Sequence, residues 1–158
     1  MEILIEELRR SITNLSLDDQ DQPFADRRGS LPWPVDGRLA NRWGSSYGLG
    51  DLDWQGVTLS AAEGSEVRSI HHGRVVFSDW FSSSGLLLII DHGDGYMSLY
   101  GHNQSLAKEV GDWVEIHEVI ASVGMSGGQK KSALYFEIRK NGQPNNPGKW
   151  CTRSQGRS

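Results

Sequence analysis

Cysteine is almost missing from this chain: Cys151 stands alone among 158 residues, so no internal disulfide can staple the fold. That single thiol also leaves the redox compartment open. Basic charge is not in excess, with 16 Lys and Arg against 20 Asp and Glu and a net charge of -4. No basic stripe with interleaved aromatics offsets that balance, which argues against nucleic acid as a partner. No apolar run is long enough to span a bilayer. The opening MEILIEELRR lacks the basic n-region and continuous apolar stretch of a signal peptide. Two expectations follow for the compartment: a cytosolic protein, or a fragment whose export signal lies upstream. Internal repeats, low-complexity tracts and a Gly-x-Ser-x-Gly nucleophile elbow are also missing.

What is present is glycine, 19 of it, with charged residues held to 23%. That combination suits a turn-rich β domain better than a disordered chain, and the length suffices for a real core. Residues 1–17 read as an amphipathic helix, with Ile5, Leu8, Ile12 and Leu15 at three- and four-residue steps. The stripe is narrow and fits either the end of a coiled coil or a helix docked in a groove. Residues 18–31 lie in a stretch with no periodicity, several acids and three prolines in SLDDQDQPFADRRGSLPWP, and read as a linker. Residues 32–152 then change to short strands separated by glycine-containing turns, and 153–158 form a tail.

Strands are expected near residues 56–61, 66–70, 74–79, 85–91, 96–102, 113–116, 119–123 and 133–139. The clearest hairpin is GLLLIIDHGDGYMSLYGH, in which an apolar strand turns at His92-Gly93-Asp94-Gly95 and returns. Its glycines permit positive φ at the turn.

The segments RGSLPWPVDG, VTLSAAEGSEVRSIHHGRVVFSDW, GLLLIIDHGDGYMSLYGHNQSL, VGDWVEIHEVIASVGMSGG and ALYFEIRKNGQPNNP carry a resemblance. In that order they resemble the LytM/lysostaphin-type zinc metallopeptidase domain over roughly residues 30–150. The resemblance implies a mainly β, compact antiparallel β-sheet domain of duplicated-hybrid-motif type with an open groove, here preceded by a helix. Active members hold zinc through a His-x-x-x-Asp pair and the second His of a His-x-His strand, with further histidines assisting. Carried onto this chain, Trp54 and Thr58 stand where the first pair belongs, and Ala133 and Tyr135 replace both histidines of the strand. Of the set, His102 in Tyr100-Gly101-His102 survives.

The replacements are chemically incompatible with a catalytic zinc, which needs about three protein ligands and an open position. An indole offers no lone pair, and a threonine hydroxyl is a poor ligand. A phenolate is costly near neutrality because tyrosine ionises at about 10. Asp51 and Asp53 read as a solvated turn. His71 and His72 are adjacent and, as strand neighbours, would point apart. His92 reads as a turn or packing residue, His117 as a surface residue and Cys151 as no nucleophile. No metal or other cofactor is expected, and no catalytic residue.

On the strand 133–139, Ala133, Tyr135, Glu137 and Arg139 share one face by period two. The resemblance places Trp54, Gln55, Thr58, Leu87, Tyr100, His102, Ala133, Tyr135 and Arg139 around the groove, an aromatic and partly apolar cleft. Tyr, Trp and Arg are the residue types enriched at binding hot spots. The phrases HGDGYMSLYGHNQS and LYFEIR look particularly like degenerate members of the family that activate periplasmic peptidoglycan amidases at division. What this implies is binding of an N-acetylmuramoyl-L-alanine amidase, relief of that enzyme's autoinhibition and splitting of septal peptidoglycan. It also implies a periplasmic location, and an upstream coiled coil able to engage an inner-membrane division complex. The 1–17 helix then has two readings, the stump of that coiled coil or a regulatory helix covering the groove. Rival functions are a zinc endopeptidase, a passive peptidoglycan-binding module, and a lipoyl- or biotinyl-carrier domain. The carrier reading fails because the turn EIHEV has no lysine to modify.

Overall fold

The computed structural model describes residues 4–5, 23–41 and 55–152. Ten strands form one antiparallel sheet among them: β1 (Arg38–Asn41), β2 (Val57–Ser60), β3 (Glu66–Arg68), β4 (Gly73–Trp80), β5 (Leu86–Gly93), β6 (Tyr96–Leu106), β7 (Trp113–Val114), β8 (Val119–Val123), β9 (Ala133–Lys140) and β10 (Gln143–Asn145). The main order is β1-β2-β9-β6-β5-β4-β7, with β10 on β9, and β8 joining β3 to the far end of β6. The expected strands all appear in order. β1 and β10 are additions to the expected set.

Alternation explains how this sheet divides its residues. In β9, Leu134, Phe136 and Ile138 point into the main core, where they meet Leu88, Ile90 and Tyr100 from β5 and β6. Every one of those six is fully buried. Removing such a side chain, for example Leu134→Ala, costs about 2–5 kcal/mol by lost transfer energy and the cavity left behind. The β5–β6 hairpin turns through Gly93, Asp94 and Gly95, all at positive φ (90°, 56° and 86°). The two glycines make that left-handed run possible without a Cβ clash.

The stretch read as a linker is in part a piece of the domain. Phe24–Arg27 form a 3₁₀ turn, and Phe24 is 1% exposed. Its ring stacks on His92 at 4.8 Å and meets Tyr96 and Trp150 at 4.8 and 5.0 Å. Leu31 bridges to Cys151 as a parallel pair. An aromatic anchor within a polar, proline-containing segment gives no periodic signal, so pattern alone does not reveal it. Of the 1–17 helix, Leu4 and Ile5 are described and are helical; Leu8, Ile12 and Leu15 lie outside the described residues.

Candidate partner-binding groove

The face of the sheet opposite the core is built by the other parity of the same strands. Thr58 of β2 and Gly101 of β6 both sit beside Tyr135 of β9, while Leu99 pairs with Glu137 and Met97 with Arg139. This brings together Thr58, Ala133, Tyr135 and Arg139, as expected of one face. Trp54 lies outside the described residues, as do Asp51 and Asp53.

Tyr135, Glu137 and Arg139 form one hydrogen-bonded chain. The Tyr135 hydroxyl donates to Glu137 Oε2 at 2.5 Å, and Arg139 Nε donates to Glu137 Oε1 at 2.6 Å. Arg139 also donates from Nη2 to Gln55 Oε1 and from Nη1 to the Gly142 carbonyl, both at 2.9 Å. Glu137 is 1% exposed and Arg139 0%. Burying two charges is tolerable because the guanidinium and carboxylate are paired and each makes further hydrogen bonds. Gly56 makes room for the chain: a Cβ there would meet Glu137 Cγ at 2.6 Å and Tyr135 Cζ at 3.1 Å. Glu137 is the member that the sequence reading left out of the groove. Its place on the Tyr135–Arg139 face was the available signal.

His102 and Tyr100, both expected around the groove, do not share a face. Tyr100 is buried in the main core, its ring 5.5 Å from Phe136 and its hydroxyl 2.8 Å from Ser98 Oγ. Burial drives its phenol pKa well above the ordinary value. It therefore takes no part in the groove. His102 has φ 63°, a left-handed residue that breaks the strand's alternation. Its ring returns to the Tyr135 side, with centroids 6.1 Å apart. Nδ1 donates to the Ser126 carbonyl at 2.8 Å, which leaves Nε2 as the lone-pair nitrogen of the neutral ring. Burial lowers the His102 pKa, and the Ser126 bond opposes that shift.

The second half of the same face is apolar. Leu87, Ile89, Met97 and Leu99 are all at most 1% exposed, and Ile5 packs on them at 1% exposure. Leu4, Val76, Phe77 and Phe81 border this cluster. Ile5 and Leu87, expected in the helix and the groove, thus meet on one surface.

Zinc does not fit the described residues here. Tyr135 already donates its proton to Glu137, and the carboxylate that could attract a cation is taken by the Arg139 guanidinium. Among the described residues no three His, Cys, Asp or Glu side chains converge. His102 Nε2 is one neutral donor where about three ligands are needed.

The surrounding architecture has known counterparts. The model of peptidase family M23 matches residues 53–147. The chain belongs to that family. It is 47% identical over 126 residues to the murein hydrolase activator EnvC of Escherichia coli strain K12, covering 80% of this chain and 30% of that protein. It is 34% identical over 116 residues to the murein hydrolase activator NlpD of Salmonella dublin, covering 73% of this chain and 29% of that protein. This M23 chain thus spans under a third of either curated relative. Among solved structures, a zinc-containing peptidase from Vibrio cholerae superposes with a TM-score of 0.71 at 21% identity, covering 80% of this chain and 41% of that one. At that identity the likeness concerns the fold. The M23 chain shares the scaffold of a zinc peptidase and the closer sequence of activators.

Proposed function

We propose that this M23 domain activates a murein hydrolase instead of cutting murein itself. The observation that carries the reading is the Tyr135–Glu137–Arg139 chain, which engages with itself the groups that metal chemistry would need. The names of the relatives, murein hydrolase activators, support the same direction. The partner is an N-acetylmuramoyl-L-alanine amidase that docks on the groove face, with Gln55, Thr58, His102, Ala133, Tyr135 and Arg139 on its polar half. Trp54 belongs to the same proposed set. Docking draws the amidase out of its inhibited form and promotes septal peptidoglycan hydrolysis and daughter-cell separation in the periplasm. An upstream coiled coil would couple the domain to an inner-membrane division complex.

The apolar half gives the proposal its control. A partner using the whole face must displace Leu4 and Ile5 from Leu87, Ile89, Met97 and Leu99. The 1–17 helix is then a regulatory segment that competes with the amidase. Covalent attachment makes the competition intramolecular, so modest contacts suffice. The test compares amidase activation by the whole chain and by residues 23–158. Stronger activation by the shorter chain supports autoinhibition, and equal activation removes it. Arg139→Ala and Tyr135→Ala variants, checked for folding, must lose activation if the groove is the docking surface.

A further inference from the structure

His102 is held in place by more ties than its place in the sheet requires. Its φ of 63° lies in the left-handed region, which few residues with a Cβ adopt. Asn103 Nδ2 donates to the Tyr100 carbonyl at 2.8 Å and to the Leu86 carbonyl at 3.0 Å, which fixes the chain on both sides of His102. The loop after β8 clamps the ring itself. His102 Nδ1 donates to the Ser126 carbonyl, and Ser126 Oγ accepts from the Leu86 amide at 3.0 Å. Gly127 lets that loop close, since a Cβ there would strike the Ser83 carbonyl oxygen and come within 3.1 Å of His102 Nδ1.

These ties decide what the ring offers. With the proton on Nδ1, Nε2 carries the lone pair. Nε2 has no hydrogen-bond partner among the described residues, and it is not enclosed. The polar groups beside it turn inward instead. Tyr135 donates to Glu137, and Arg139 donates to Glu137, Gln55 and the Gly142 carbonyl. A disfavoured backbone held by several independent contacts marks a position where direction is used. What is directed here is a neutral acceptor, on a ring 6.1 Å from that of Tyr135. A cation is a poor match for it. The Glu137 charge is already balanced by Arg139, so an ammonium or guanidinium would lose its water against an uncharged ring.

We propose that His102 Nε2 accepts a hydrogen bond from an uncharged N–H or O–H group of the docked partner and so helps to select it. This inference rests on the groove being the docking surface. A partner that placed an apolar group there would leave the lone pair desolvated and unpaired, so the acceptor discriminates against it.

The experiment measures binding of an N-acetylmuramoyl-L-alanine amidase to the whole chain by calorimetry, with and without Ile5→Asp. Histidine-ring ¹⁵N spectra are recorded for the free and bound chain. The expected result is an upfield move of the His102 Nε2 resonance in the complex, with the proton still on Nδ1. His102→Asn tests the acceptor alone, because asparagine tolerates the left-handed backbone and its carboxamide can still donate to Ser126. It should leave the urea midpoint unchanged and weaken binding about tenfold. The proposal is overturned if Nε2 does not move, or if His102→Asn binds like the parent while a folded Tyr135→Ala control does not; the groove reading then stands. A loss of binding matched by a fall in the urea midpoint also overturns it, since His102 would then serve the fold. If neither the parent nor Ile5→Asp binds, or if Tyr135→Ala binds like the parent, the groove reading itself fails and this inference with it.

Discussion

The groove face has two halves that solve burial in opposite ways. On β9, Tyr135, Glu137 and Arg139 hydrogen-bond to one another, and Arg139 is further held by Gln55 and the Gly142 carbonyl. On β5 and β6, Leu87, Ile89, Met97 and Leu99 have no polar groups to satisfy and must be covered, which Leu4 and Ile5 do. A self-satisfied polar network is a fixed template, because each member constrains the next. A covered apolar patch is exchangeable, because hydrophobic contact is non-directional and another apolar surface can replace the cover. In the proposed function, specificity belongs to the first half and switching to the second.

The largest effect that would break this contrast is expected at Arg139. Arg139→Ala leaves the Glu137 carboxylate buried without its partner and should cost about 3–5 kcal/mol in urea denaturation. Replacing both members with apolar residues, as in Glu137→Leu/Arg139→Met, should recover most of that loss. A cost below about 1 kcal/mol for Arg139→Ala would mean that the pair behaves as a surface ion pair. Tyr135→Phe comes next, since it removes one hydrogen bond to a charged group and should cost about 1.5–3 kcal/mol. The apolar half should respond differently. Ile5→Asp should leave the urea midpoint of the domain nearly unchanged while raising amidase activation and speeding hydrogen exchange at Leu87–Ile89. A large fall in global stability with no gain in activation would make Ile5 an ordinary core residue.

Acid provides the smallest perturbation near neutrality, and its main target, His92, lies away from both halves. Burial pushes the His92 pKa down to about 3, against the backbone bond to His72 and helped by the neighbouring His71 and His72. The unfolded chain takes up a proton near the ordinary value of 6.5 while the native form does not. Stability is therefore intact above that pH and is lost as pH falls towards about 3. His102, also lowered, acts in the same sense. Asp91, raised by burial, acts in the opposite sense, its contribution fading as pH rises from 3.8 through its native pKa. Urea midpoints measured from pH 7 to pH 4 should fall, and His92→Gln should flatten that slope.

Much of the fold was legible because β2 through β9 alternate cleanly or carry continuous apolar runs between glycine turns. β1 was not legible, since Arg38, Leu39 and Ala40 are all exposed and show no buried face. β10, written QPN, carries a proline that argues against a strand until an edge position explains it. On β9, period two correctly brought Tyr135, Glu137 and Arg139 to one surface, and Thr58, placed there by resemblance, sits opposite Tyr135. Tyr100, placed at the groove with His102, lies instead in the core, because His102 is left-handed and the two side chains leave opposite faces of the strand. Hydrogen bonding was beyond pattern altogether. A strand reading Tyr-x-Glu-x-Arg shows which side chains share a face, but not that the phenol and guanidinium converge on one carboxylate.

The central claim is that this face works by binding a hydrolase. Release of soluble fragments from dye-labelled murein tests it most directly, using an N-acetylmuramoyl-L-alanine amidase, this chain with and without zinc, and the two together. The account predicts no release by the chain alone, whether or not zinc is added. It predicts release by the amidase that rises on adding the chain and fails to rise with a folded Arg139→Ala variant. Zinc-dependent release by the chain alone, or amidase activity indifferent to the chain, would contradict it.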